Sequence, residues 1–321
     1  MAQLYSPVEQ NGLIDEVLRI TGTTSTVYSN KSIISRLNNA LDSYWKLASD
    51  ATPKGTFDDT NQTSLPVETQ NITSGTNAYK ISSFTNEVLQ ILKMARLDDD
   101  GLECDLVREE FENLEDFNEL YSTDSDDQGI PEYWTKMGDY IYLRPCPNYS
   151  ETSGLRAYVN RELSKFLWTP FTVTVATPGV FTAVGHGLSG LDGLIFETDG
   201  ALPTGLTADT AVYYKITAGA TADAFQVSTS YSLTGTAVNT SVSQSGNHKY
   251  TKINKEPGIP VIHHLYLARM ASLPFLIEKK LSQMVATAQL IQKDEQNILD
   301  YWQNRDRDLH TIIRPHQRSF K

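Results

Sequence analysis

The sequence predicts an α+β chain in two parts: a helical-bundle core carrying a small antiparallel sheet, over residues 1–168 and 253–321, and an all-β domain inserted at 169–252. Three observations lead there. Apolar residues recur at helical spacing near both ends, short β-prone runs lie between turns in the middle, and composition changes abruptly near Thr169. Between Thr169 and Lys252 stand only three basic residues (Lys215, Lys249, Lys252) and five acidic ones, against ten of the nineteen glycines. Such a stretch reads as a turn-rich sandwich or small barrel.

The first helix is expected from Ser6, with Pro7 at the first helical position and Glu9 completing a capping box. Leu13, Ile14, Val17 and Leu18 continue it as one apolar stripe until Gly22. A second helix is predicted over about Asn30–Ser49, where Ile33, Ile34, Leu37, Leu41, Tyr44 and Trp45 repeat at helical spacing, so the N-terminal part forms a helical hairpin. From Pro53 to Asn77 the chain is a polar loop, and SGTNAYKIS then supplies a turn and a short alternating run. EVLQILKMARLDDDG fits a strand or a short helix; DLVREEFENLEDFNEL, with Leu106, Phe111, Leu114 and Phe117, reads as helix. IPEYWTKMGDYIYLRPCP holds two β-prone segments around Met137-Gly138-Asp139, and the alternating GLRAYVNREL completes the small sheet.

In the inserted domain, FTVTV, GLIFET, VYYKIT, DAFQVST and HKYTKI are separated by Gly, Pro, Asn and Thr turns. After it the chain returns to charge-rich helix, with Pro260 at its start and Pro274 as a kink or divider. Ile277, Leu281, Met284, Ala288, Ile291, Ile298 and Trp302 alternate steps of four and three, a heptad seam broken only at Glu295. One helix over 275–307 would be about 50 Å long and would need an extended partner. The two N-terminal helices, neighbouring subunits around a ring, or both, can supply it.

Composition narrows the function. The 27 Lys and Arg against 39 Asp and Glu give a net charge of −12, the wrong sign for a protein that neutralises nucleic-acid phosphates. Cys104 and Cys146 have no metal-ligand or redox spacing and are expected to be buried free thiols. The N-terminus has no basic start or apolar stretch, and no run of some 18 apolar residues occurs, so no membrane partner is expected.

No residue set carries chemistry by its spacing. Gly185, Gly187 and Gly190 spell GxGxxG, but between strand-like runs instead of before a helix, and no Lys-Ser/Thr follows, so a phosphate loop is rejected in favour of β turns. His186 has no nucleophile or acid partner at recognisable spacing and is expected to brace a turn. DSDDQG at Asp124–Gly129 begins like a calcium loop, but Gln128 and Thr135 stand where ligands are needed; the DDDG at 98–101 reads as a turn. His263 and His264 are adjacent and cannot chelate one ion, so one is expected in the core and one exposed. With no GxSxG, HExxH or Walker motif, the expectation is a non-enzyme without metal or cofactor. The basic end, Arg305, Arg307, Arg314, Arg318 and Lys321 with Phe320, is either a solvated terminus or an arm that orders on an acidic partner surface.

The N-terminal hairpin, SLPVETQNITSGTNAYKIS, GIPEYWTKMGDYIYLRPCPNYS with GLRAYVNREL, and EPGIPVIHHLYLARMAS leading to YWQNRDRD together resemble tailed-bacteriophage head-to-tail adaptor (connector) proteins over residues 1–167 and 253–321. The stretches GHGLSGLDGLIFETDGALPTGL, TAVYYKITAGATADAFQVSTS and AVNTSVSQSGNHKY resemble the immunoglobulin-like decorative domains of phage structural proteins. The resemblance implies a virion structural protein at the head–tail junction, made in the host cytoplasm. It implies a homo-oligomeric, dodecameric ring that binds the portal protein on one side and nozzle, stopper or tail-terminator proteins on the other, while genomic DNA passes through without sequence-specific contact. On that reading Ile277, Leu281, Met284, Ile291, Ile298 and Trp302 are the helix-packing seam, and Arg314, Arg318, Phe320 and Lys321 dock on the portal. The alternative is a tail or baseplate protein whose β domain binds host glycan or another virion protein, with Phe196, Tyr213 and Tyr214 as stacking aromatics.

Overall fold

A computed structural model describes residues 3–6, 10–51, 67–85, 88–98, 101–110, 123–124, 127–161 and 163–308. The chain is α+β and separates into two compact units, Met1–Ala51 with Ser164–Lys321, and Thr52–Leu163. This division differs from the sequence boundaries. Residues 52–163 form a unit with a core of its own, and the 169–252 module belongs to the same unit as the helices.

In the first unit, α1 (Leu13–Thr21) starts later than its proposed cap. The Asp15 carboxylate accepts the backbone N–H groups of Gly12 and Ser6, both at 3.0 Å, and so does the work expected of Glu9, which lies with Pro7 outside the described residues. A Cβ at Gly12 would sit 2.6 Å from the Tyr5 Cα, so that crossing needs glycine. Gly22, at φ 63°, ends the helix. The next helix, α2 (Asn30–Ala51), buries Ile33, Ile34, Leu37, Leu41, Tyr44 and Ala48 along one face.

The C-terminal helices are α3 (His264–Glu278) and α4 (Gln283–Asp308). Apolar on nearly every side, α3 packs against α1, α2 and α4 as the central helix. Pro274 lies within it, and the expected division falls five residues further on. There the Lys280 N–H donates to the Ile277 carbonyl and the Leu281 N–H to the Leu276 carbonyl, with Lys280 left-handed at φ 52°. This double closure terminates a helix with a residue other than glycine. The single 275–307 helix is therefore replaced by a turn and a 26-residue helix, roughly 39 Å long.

The β module carries seven strands in the order β14-β11-β10-β16-β12-β13-β15, every pair antiparallel. They are β10 (Thr169–Val173), β11 (Phe181–Thr182), β12 (Gly193–Thr198), β13 (Val212–Lys215), β14 (Ala224–Phe225), β15 (Val227–Ser228) and β16 (His248–Lys252). The two edge strands are separated along the chain by Gln226 alone, so the sheet comes close to closing as a small barrel. Phe171, Phe181, Phe196, Phe225 and Tyr250 fill it, with Phe181 stacked on both Phe196 and Phe225 at 5.3 Å. Lys31 of α2 pairs with Glu197, and Asn30 donates to the Asp209 carbonyl, tying the module to the start of α2.

The second unit contains a seven-stranded sheet ordered β1-β9-β3-β4-β6-β7-β2. Its strands are β1 (Val67–Ile72), β2 (Ala78–Lys80), β3 (Val88–Leu97), β4 (Glu103–Arg108), β6 (Tyr133–Met137), β7 (Tyr140–Arg144) and β9 (Glu151–Arg161); β5 (Gln128–Gly129) and β8 (Cys146–Pro147) pair separately. Again the edges, β1 and β2, are consecutive in the chain. Met94, Leu106, Trp134, Ile141, Leu143, Leu155 and Val159 form the core. The sheet is larger than predicted and not wholly antiparallel, since β4 pairs parallel with β6. The expected helix over 105–120 is a correction as far as Arg108: Leu106 is buried in a strand, and Phe111, Leu114 and Phe117 lie outside the described residues.

Candidate functional site

The C-terminal seam is split by the turn after α3. Ile291, Ile298 and Trp302 are buried, Leu281 and Met284 are half-buried, and Ile277, on the last turn of α3, is 52% exposed. Ile277 therefore faces solvent, and Thr287 is the buried seam residue that heptad spacing by apolar type overlooked. The interruption expected at Glu295 is explained one residue earlier: Arg269 of α3 pairs with Asp294 at 2.5 Å, so the helices meet there through an ion pair. Further along, the Trp302 Nε1–H donates to the Tyr44 hydroxyl at 3.0 Å, joining α4 to α2. Val285 and Leu290 remain exposed on α4. Arg314, Arg318, Phe320 and Lys321 lie outside the described residues.

Both members of the His263-His264 pair are buried, which corrects the expectation of one exposed ring. His264 Nε2 meets the Ile259 carbonyl at 3.0 Å. His263 lies in a short 3-10 turn (Val261–His263) before α3, edge-on to Tyr301 at 5.0 Å and tilted against Tyr44 at 5.6 Å. Burial drives its pKa down to about 4, with His264 adding to the effect and Asp294 opposing it, so the imidazole is neutral. Burial raises the Tyr266 phenol far above its ordinary value, reinforced by Glu295 and Asp294. These two residues line a half-open cavity of about 320 Å³ with Asp294, Asn297, Asp300 and Tyr301.

The glycine-rich stretch of the β module folds as turns. Gly185 and Gly187 have φ values of 59° and 56°, the left-handed region that glycine enters without strain. Between them, His186 Nδ1 accepts the Leu188 N–H at 2.9 Å, so the ring proton sits on Nε2 and points to the Thr221 carbonyl at 3.1 Å. The ring packs edge-on to Phe225 at 5.1 Å, the bracing role expected of it. The next turn is held by Asp192, which accepts from the Ser189 N–H, Asn254 and Lys252. Burial pushes that carboxyl up, but Lys252, Asn254 and the Ser189 N–H outweigh it and keep the pKa below the ordinary range.

The aromatics considered for stacking on sugar are inside: Phe196, Tyr213 and Tyr214 are buried, and Phe196 stacks on Tyr213 at 4.9 Å. That part of the alternative is overturned: Phe196 and Tyr213 lie in the core of the module, and Tyr214, on the opposite face of β13, is buried with Tyr231 edge-on to it at 5.1 Å. Cys146 is buried as expected, whereas Cys104 is half-exposed. Asp98 closes its own turn by accepting the Leu102 N–H, and Thr135 is buried in β6, donating to the Glu109 carbonyl. Among the described residues there is no group of three or more His, Cys, Asp or Glu that could hold a metal ion, and no helix long and apolar enough to cross a membrane. No protein-family model and no curated protein matches the chain.

Proposed function

We propose that the chain is a virion structural protein, a head-to-tail adaptor whose helical bundle packs into a homo-oligomeric ring between portal and tail and carries a small immunoglobulin-like β module outward. The observation that carries this reading is the two-sided α4. Its inner side seats Thr287, Ile291, Ile298 and Trp302 within the chain, while Val285, 58% exposed, and Leu290, 42% exposed, stay open, as does Ile277 on the adjoining turn. A ring subunit needs such a helix, serving its own core and a neighbour at once. The net charge of −12 suits a conduit, since like charge keeps passing DNA from adhering.

In this account the inner seam works within the subunit, Ile277, Val285 and Leu290 work between subunits, and Arg314, Arg318, Phe320 and Lys321 dock on the portal. No bond chemistry is assigned to the chain. The test is a Val285→Asp, Leu290→Asp double variant. Both positions are exposed, so its thermal unfolding should match the parent's, while its incorporation into particles should fall at least roughly tenfold. Incorporation at the parent's level contradicts the reading.

A further inference from the structure

The cavity between the start of α3 and α4 has features that the adaptor reading does not use. Its walls come from Ile262, His263 and Tyr266 on one side and from Asp294, Asp300 and Tyr301, one face of α4, on the other. At about 320 Å³ it is at the small end of ligand pockets. His263 is 7% exposed and Tyr266 1% exposed, yet the His263 Nε2 and the Tyr266 hydroxyl have no hydrogen-bond partner among the described residues. A buried polar atom left unpaired is costly, and two at one cavity define a place where a polar ligand gains more than an apolar one.

The sign of the ligand's charge follows from the lining. Among the described residues no lysine or arginine lines the cavity. Arg269, which neutralises Asp294, stands outside the lining, and Asp300 has the Gln296 amide as its partner at 2.9 Å and no basic one among the described residues. Asp300, exposed on α4, is thus the lining carboxylate with no basic partner among the described residues. Beside it, Tyr301 and His263 stand edge to face at 5.0 Å, giving the site aromatic walls. An anion is repelled, whereas a cation gains both the carboxylate and the ring faces.

We propose that this cavity binds a cationic head group, a guanidinium or alkylammonium, with Asp300 as its counter-ion, Tyr301 as its aromatic wall, and the His263 imidazole and Tyr266 hydroxyl as the polar groups at its buried end. The head group belongs either to a basic side chain of a partner protein or to a free organic cation.

The test is calorimetric titration of the full chain with Nα-acetyl-arginine amide, with 1,4-diaminobutane, and with Nα-acetyl-citrulline amide, the neutral isostere of the first. The expected result is saturable binding of a cationic probe, no saturation by the citrulline derivative, and at least tenfold weaker binding in Asp300→Asn, with Asp50→Asn, an exposed carboxylate at the end of α2, behaving like the parent. Tighter binding of the arginine derivative assigns the site to a partner's side chain; tighter binding of the diamine assigns it to a free cation. Failure of both cations to saturate, equal binding of the citrulline derivative, or an Asp300→Asn variant that binds like the parent overturns the proposal.

Discussion

Trp302 and Tyr44 stand 258 residues apart in sequence and share one hydrogen bond, the contact that fixes α4 along α2. Removing the ring in Trp302→Ala should cost about 3–5 kcal/mol, whereas Trp302→Phe keeps most of the packing and should cost about 1 kcal/mol beyond the lost area; urea unfolding measures both. His263 gives the chain a pH dependence with a definite sign. Unfolded, the ring takes up a proton near its ordinary pKa of about 6.5; folded, it does so only at about 4. Unfolding therefore binds a proton between those values, and stability should rise with pH across that window by on the order of 3 kcal/mol. A His263→Phe variant should lose this slope, read as the difference in urea midpoints at about pH 4.5 and about pH 7. At this scale the sequence was informative for His186, whose lack of partners at catalytic spacing matched a turn-bracing ring. It was silent on Asp294, whose partner Arg269 lies on another helix, because an ion pair between helices leaves no periodic trace.

Among the elements, α2 and the hairpin of β6 and β7 were legible, the first from a long apolar period and the second from β-prone runs around Gly138. The start of α1 was not: Gly12 and Asp15 have capping spacing, but Ser6 and Glu9 offer the same spacing earlier in the chain, and the glycine cap carries no side-chain signal of its own. The stretch from Asp105 onward looked helical, yet pairing with β3 and β6 holds 105–108 extended; tertiary pairing overrode local preference. The end of α3 shows the same limit. Proline at 274 marked a break, but the chain turns at Lys280, where a left-handed backbone is imposed on a lysine. Lys280→Gly should relieve that conformation and stabilise the chain by about 1 kcal/mol, measured as an upward shift in thermal midpoint. A flat or lowered midpoint means that the lysine side chain contributes more than its backbone costs.

For the whole molecule, the two units have separate cores, and each sheet's edges are consecutive in the chain, a layout that a fall in charged residues signalled for 169–252. Residues 52–163 also stand out, with 22 acidic against 9 basic residues where the rest of the chain has 17 against 18, but an excess of acid does not by itself mark the bounds of a fold. Residues 52–163 expressed alone should therefore unfold in one cooperative denaturant transition; a broad, non-cooperative melt would mean that its core depends on the first unit. The adaptor reading makes its own demand at this scale, namely that many copies of the chain sit together at one place in a particle. The most direct test is electron microscopy of intact particles labelled with gold-conjugated antibody against residues 169–252. The account predicts label confined to the head–tail junction; label at the distal tail, or none on the particle, contradicts it.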